Sequence, residues 1–254
     1  MEAGSVTSYI DVAQIALYVF WAFFAGLIYY LHRENKREGY PLESDRSGLV
    51  TVQGFPAVPS PKVFRLHDGT TIYAPRKEAP ETVNGTPLAN FPGAPLVPNG
   101  DPMSSGMGPG AYARRADKPD LTAHGDLKIV PLRADPSFTV AEEDPDPRGF
   151  TVVGADGKVA GKVKDVWVDR MEVMFRYFEV ELPGGSGVLL PVMFSRIMAG
   201  EKRIHVNSIL AAQFAGVPRT AKPDSITLLE EEKVTAYYGA GTLYATPLRQ
   251  EALL

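Results

Sequence analysis

Residues 12–31 read VAQIALYVFWAFFAGLIYYL, and this stretch decides the architecture. Its 20 residues carry no charge, and Gln14 is the only strongly polar side chain among them. A helix rises about 1.5 Å per residue, so the run is roughly 30 Å long, the thickness of a bilayer's hydrocarbon core. Helical backbone satisfies its own hydrogen bonds, which lipid cannot do for it. A buried helix of a soluble domain keeps a polar stripe, and none is present. A signal peptide has a basic leader, a shorter apolar run and a small-residue exit. Here the first 11 residues hold no Lys or Arg, and the run closes on Tyr29-Tyr30-Leu31. The reading is a single uncleaved transmembrane helix.

Charge around the span sets its expected orientation. Arg33, Lys36 and Arg37 follow it and nothing basic precedes it, so residues 1–11 are expected on the periplasmic side and the rest in the cytoplasm. Tyr29, Tyr30 and Tyr40 suit the membrane interface. Arg33, Lys36 and Arg37 are also candidates for an anionic lipid headgroup, with the alternative that they only set topology. A lone helix without internal charge encloses no pore, so its expected job is anchoring or docking.

The composition of the whole chain narrows the rest. Its 254 residues are 22% charged and 44% hydrophobic, which fits neither wholesale disorder nor a multi-span protein. A net charge of −4 gives no basic excess for neutralising phosphates, so nucleic acid is not an expected partner. With no cysteine, disulfides, thiolate nucleophiles, Cys-ligated clusters and c-type haem attachment are excluded. No G-x-x-x-x-G-K-[ST], H-E-x-x-H or G-x-S-x-G motif occurs. A membrane-anchored hydrolase therefore lacks a visible nucleophile and base.

Residues 32–120 form a Pro/Gly-rich extended segment. Between Pro41 and Pro119 lie 13 prolines and nine glycines in 79 residues, a composition that alone argues disorder. Yet apolar residues recur, among them Phe55, Phe64, Tyr73, Leu88 and Phe91, as anchors onto another surface. Residues 62–66 and 71–74 flank His67-Asp68-Gly69-Thr70, a hairpin signal. From residue 121 to 254 the composition is globular. Strand-like runs are expected at 128–132, 138–141, 151–153, 159–169, 174–182, 188–192 and 203–206. Their spacing argues a small antiparallel sandwich or barrel. Two short helices are expected after it. Asn207 is the candidate cap of the first, and Thr227-x-x-Glu230 is a capping box for the second, ending or loosening at Gly239-Ala240-Gly241.

Four stretches together resemble one family: GLIYYLHRENKREGYPLE (26–43), GDPMSSGMGPGAYARR (100–115), GKVKDVWVDRMEVMFRYFEVEL (161–182) and TLLEEEKVTAYYGAGTLYATP (227–247). Their order and content are similar to the H subunit of the purple-bacterial photosynthetic reaction centre. The resemblance implies a PRC-barrel-like cytoplasmic domain of mainly β structure behind one N-terminal transmembrane helix, in a bacterial inner, photosynthetic membrane. It implies L and M subunits as partners, with a cytochrome subunit and a light-harvesting ring as further associates. It implies a complex carrying bacteriochlorophyll, bacteriopheophytin, quinones and a non-haem iron, none of them bound by this chain alone. The implied role is non-catalytic: covering L and M, shielding the secondary quinone site and assisting protons to it.

A doubly reduced quinone must take up protons, because a buried anion is very costly. Asp165, Trp167 and Asp169 alternate on one strand and share a face, with Glu172 and Arg176 close behind. Asp169 and Glu172 at ~7 Å and an effective dielectric of ~20 would repel by about 2.4 kcal/mol, enough to favour a proton on one of them. By resemblance Glu172 and Asp169 match acids near the family's proton path, and Arg176 and Lys128 match basic neighbours. The family's surface entry has a His-Gly-His pair. Here the matching run is His124-Gly125-Asp126, and Thr122 stands at a family aspartate. His124 and Asp126 are the entry candidates, and as a His–carboxylate pair they also offer two ligands to a transition metal. The blander expectations are a solvated strand face for Asp165 and Asp169, an ion pair within the barrel for Arg176, dipole partners for Glu230–Glu232, and core positions for Met171, Met174, Met193 and Met198. The rival function is a membrane-tethered β-barrel adaptor outside electron transfer, which would not co-purify with pigmented chains.

Overall fold

A computed structural model describes residues 11–37, 42–43, 50–51, 54–76, 83–91 and 93–250. Tyr40 and residues 1–10 of the expected N-terminal tail lie outside them. The chain divides into two units, Met1–Thr82 with Ala89–Ala94, and Val83–Leu88 with Pro95–Leu254.

The first unit is led by helix α1 (Val12–Asn35). Asp11 opens it with a capping box: its Oδ1 accepts from the Gln14 backbone N–H at 2.7 Å, and the Gln14 side chain accepts from the Asp11 N–H at 3.3 Å. Gln14, the one polar residue of the apolar run, is thereby explained as a cap. None of the helix is buried within the chain, and it is long and apolar enough to cross a bilayer. Strands β1 (Leu42–Glu43) and β2 (Val50–Thr51) pair antiparallel. The expected hairpin is present as β3 (Lys62–Arg65) and β4 (Thr71–Ala74). Asp68 Oδ1 accepts from the Thr70 N–H at 2.9 Å and its hydroxyl at 2.6 Å, while Gly69 takes φ +82°, a conformation Gly adopts without a Cβ penalty.

The second unit begins with a small pair, β5 (Gly85–Pro87) and β6 (Leu96–Pro98). Its main body is a seven-stranded sheet of β7 (Ile129–Pro131), β8 (Thr151–Val153), β9 (Val159–Asp169), β10 (Met174–Glu181), β11 (Gly187–Pro191), β12 (Ser195–Met198) and β13 (Arg203–Val206). The order is β11-β10-β9-β8-β13-β12, with β7 also on β9. Strand β9 is the spine. Its first half pairs with β8 and its last residues with β7, while β10 runs along the other edge. The core is Val-rich, with Val152, Val166, Val180, Leu190, Ile204 and Val206 fully buried. This β-branched content suits a pleated surface that is covered.

Helix α2 (Leu228–Tyr244) closes the domain, and its capping box is the expected one: Thr227 Oγ1 accepts from Glu230 N at 3.1 Å and Glu230 Oε2 accepts from Thr227 N at 2.8 Å. It packs through Val234 and Tyr238, whose ring stacks on Phe194 at 5.7 Å and meets Phe214 edge-on.

Several expectations need correcting. The expected mainly antiparallel sheet is present, with one departure: β13 lies parallel to β8. Residues 138–141 are irregular, although Phe138 and Val140 still pack on the core, so burial without pairing produced their strand-like pattern. Strand β12 was not expected. Asn207 caps nothing: the turn that follows it is a 3-10 helix, Ala211–Gly216, entered at Leu210. Gly239 and Gly241 do not end α2. A Cβ on Gly239 would meet Pro109 O at 2.5 Å, and one on Gly241 would meet Ile209 Cγ2 at 2.4 Å, so these glycines allow close backbone approach inside the helix. Met171, Met174 and Met193 are exposed rather than core residues.

Candidate functional site

The C-terminal end of β9 gathers the residues that the resemblance singled out. Asp169 is the last residue of β9, only 1% exposed. Its Oδ1 accepts the backbone N–H groups of Met171 (3.0 Å) and Glu172 (3.1 Å), which shapes the β9–β10 turn. Its Oδ2 is buried without a hydrogen bond, with the Lys128 ammonium at 3.5 Å as its charge partner. Lys128 immediately precedes β7, and the pairing of Ile129 with Asp169 delivers it there. The same ammonium lies 3.7 Å from Glu172 Oε1 and 3.6 Å from Asp120 Oδ2. Arg176 Nη1 reaches the other Glu172 oxygen at 3.6 Å. The arrangement alternates in sign, in the order Asp169, Lys128, Glu172, Arg176, with Asp120 as a third carboxylate on Lys128.

The sequence estimate of carboxylate repulsion omitted the cation between the two acids. Two contacts to one ammonium do confine Asp169 and Glu172 to within ~7 Å of each other. At an effective dielectric of ~20, however, attraction to a charge at half that distance is about twice their mutual repulsion. Lys128 is held above the ordinary lysine range: burial works against its charge, and Asp169, Asp120 and Glu172 outweigh it. Asp165 and Asp169 do not lie on a solvated face, and the ion pair of Arg176 is with its exposed neighbour Glu172 rather than inside the barrel.

The entry candidates sit on a tight loop closed by a bridge between Leu121 and Leu127. Thr122 Oγ1 accepts from the backbone N–H of His124 (3.3 Å) and Asp126 (3.2 Å), so the residue at the family's aspartate position organises the loop. His124 and Asp126 are exposed at its tip. Its base carries Asp120 and Lys128, joined by a backbone bond of 3.0 Å from Lys128 N to Asp120 O. One short loop therefore links the exposed pair to the buried cluster. Among the described residues no three His, Cys, Asp or Glu side chains form a metal cage. Where Asp120, Asp169 and Glu172 converge, the Lys128 ammonium holds the centre.

Two features were missed from sequence. Arg133 bonds Asp165 Oδ2 (3.1 Å), Glu179 and Asp224 Oδ1 (2.9 Å), beside an open cleft of about 370 Å³ that Trp167 and Lys164 also line. Burial pushes the Glu179 carboxyl up, but Arg133, Trp167 and Lys164 together hold it below the usual carboxylate range. The available signal was the cross-strand register: Asp165 faces Glu179, and two buried acids need a cation. The second is on α2. Glu231 accepts the Tyr177 hydroxyl at 3.0 Å, and burial raises its carboxyl above the ordinary range. Glu230 caps the helix, Glu231 shares its first turn and Glu232 lies 3.6 Å from Arg115, so Glu230 and Glu231 fit the dipole-partner expectation. Of the lipid candidates, Arg33 is exposed, Lys36 is buried on the carbonyls of Gly54 and Pro56, and Arg37 is bonded to Glu34 and Ser60 O.

The chain joins an apolar N-terminal helix, long and apolar enough to cross a bilayer, to a Val-rich sheet with an ionic cluster at one end of its spine strand. The PRC-barrel domain family matches residues 140–213, which covers β8 to β13. The photosynthetic reaction centre H-chain N-terminal region matches residues 4–134, just over half of the chain. The chain belongs to the reaction-centre H-chain family and is a reaction-centre subunit, which associates with other subunits of a cofactor-bearing complex.

Proposed function

We propose that this chain caps the L and M subunits on the cytoplasmic side, stabilises them, shields the secondary quinone site and passes protons toward it. The span would be residues 12–31 of the inner membrane, with residues 1–11 periplasmic and residues 32–120 running as an extended connector to a domain at 121–254. The absence of Lys and Arg before α1 and the cations after it support this orientation. The chain acts without catalysing a reaction itself. Pigments, quinones and iron would be held by the partner subunits.

The observation that carries the proton role is Asp169, a buried carboxylate whose Oδ2 lies 3.5 Å from a lysine shared with the half-exposed Glu172. A buried carboxylate that shares its cation with a surface acid couples the interior to solvent through one charge network, which suits a proton station. Protons would enter at His124 and Asp126, pass the Asp120–Lys128 base, and leave through Asp169 and Glu172, with Arg176 holding Glu172 in place. A cap that excluded water without such a relay would block the protonation that reduction requires.

The test is Glu172→Gln in the assembled complex, read by flash kinetics of the first and second electron transfers to quinone. Second-electron transfer should slow, and primary charge separation should be unchanged. Identical second-electron kinetics across roughly pH 6–9 would remove the relay role and leave a scaffold.

A further inference from the structure

Residues 54–62 are tied to the end of α1 by five contacts. Lys36 Nζ donates to Gly54 O (3.2 Å) and Pro56 O (2.6 Å), the Arg37 guanidinium donates to Ser60 O, Lys62 Nζ meets Glu34 Oε2 at 2.6 Å, and the Phe55 ring lies 5.9 Å from the ring of Tyr29. The first two bury the Lys36 ammonium on backbone carbonyls, so the loop is held by a charged group that has left water.

Depth follows from helix geometry. Tyr29 is two residues inside the apolar run, and at about 1.5 Å per residue that places it ~3 Å inside the point where the run ends. The Phe55 ring centroid lies 5.9 Å from that of Tyr29, which places it at the boundary of the run. Phe55 keeps 80% of its surface exposed, more than any large hydrophobic residue of α1. A fully apolar aromatic side chain, fixed at the boundary of a span and facing outward, is matched to acyl chains and not to water. Arg33 is exposed on the last turn of the same helix, one turn beyond Tyr29, where a phosphate headgroup would lie.

We propose that the loop of residues 54–56 is a second point of membrane insertion, in which Phe55 enters the acyl region of the bilayer beside α1. This rests on the reading of α1 as a membrane span. The bilayer is the committed occupant because the loop is fastened to the span of its own chain, so the surface that surrounds the span surrounds Phe55. The consequence is that the extended connector starts at the lipid surface, fixed in height before it reaches any partner.

The chain has no cysteine, so Phe55→Cys provides a single nitroxide-labelling site. The labelled chain is assembled with unlabelled partner subunits in vesicles of phosphatidylcholine and phosphatidylglycerol. Collision with oxygen, which partitions into lipid, is compared with collision with a water-soluble nickel chelate. Tyr18→Cys, within the span, and His67→Cys, in the hairpin turn, are the references. The expected result is loss of nickel access and gain of oxygen access at 55, close to position 18 and unlike position 67. Nickel access at 55 with oxygen access at 18 overturns the insertion and leaves the span intact. So does a label at 55 that is closed to both probes, which means a partner subunit covers it. Nickel access at 18 overturns the span, and the insertion with it.

Discussion

Arg133→Met removes the cation on which three carboxylates converge, and its cost can be worked from the contacts. The guanidinium uses Nη1 for Asp165 and Glu179, Nη2 for Asp224 and Pro223 O, and Nε for Asp224. The Asp224 side chain is 54% exposed, so that pair contributes a few tenths of a kcal/mol. The side chains of Asp165 and Glu179 are 6% and 10% exposed, and charge-assisted bonds to them are worth about 1.5 kcal/mol each at the low end, which the partial exposure of Arg133 favours. The expected loss is about 3 kcal/mol at pH 7, within the usual range for leaving buried charge unpaired. With Arg133 present, the Glu179 carboxyl is depressed, so its contribution is full above the unfolded value near 4.5 and fades as pH falls through the folded value. Without Arg133, Trp167 and Lys164 still bond the carboxyl, but less then offsets its burial, so it contributes less at neutral pH. The difference between variant and parent should therefore shrink from pH 7 toward pH 4. The assay is urea unfolding of the full chain in detergent, followed by Trp167 fluorescence in a Trp21→Phe background. A loss under about 1 kcal/mol at pH 7, or one that is the same at both pH values, refutes the reasoning. Adding Glu179→Leu to Arg133→Met should recover part of the loss, since removing both partners avoids an orphaned charge.

Two further outcomes follow from α2. Burial raises the Glu231 carboxyl, and an acid with a raised folded value costs stability above that value and ceases to do so as pH falls toward 4.5. Glu231→Gln should then unfold at slightly higher urea than the parent at pH 8, by up to about 1 kcal/mol, with the two curves converging near pH 4.5; parallel curves would count against it. Gly241→Ala places a Cβ 2.4 Å from Ile209 Cγ2 and 2.5 Å from Ser208 O. Because one neighbour is backbone, a loss of about 2 kcal/mol is expected despite the better helix propensity of Ala, and a stabilised variant would show that the helix can move.

Particular elements show how far the sequence reaches. The apolar helix, the Asp-Gly hairpin, the α2 capping box, and strands β8, β9 and β13 at their full bounds are all local patterns, set by side-chain period, caps and turn residues within a few positions. The strand expected at 138–141 failed because Phe138 and Val140 are apolar for packing, and hydrophobicity alone cannot tell a paired edge from a covered coil. The glycines of α2 misled for the same reason: their cause lies in Pro109 and Ile209, far away in the chain.

The candidate site divides in the same way. The sequence by itself determined which acids and bases exist and that Asp165, Trp167 and Asp169 share a strand face. Only the tertiary structure decided that Lys128 stands between Asp169 and Glu172, that Arg133 rather than solvent answers Asp165 and Glu179, and that Glu231 meets Tyr177. Local propensity acts through neighbours in the chain, whereas the charge state and burial of a side chain depend on groups that only strand pairing brings within a few ångströms.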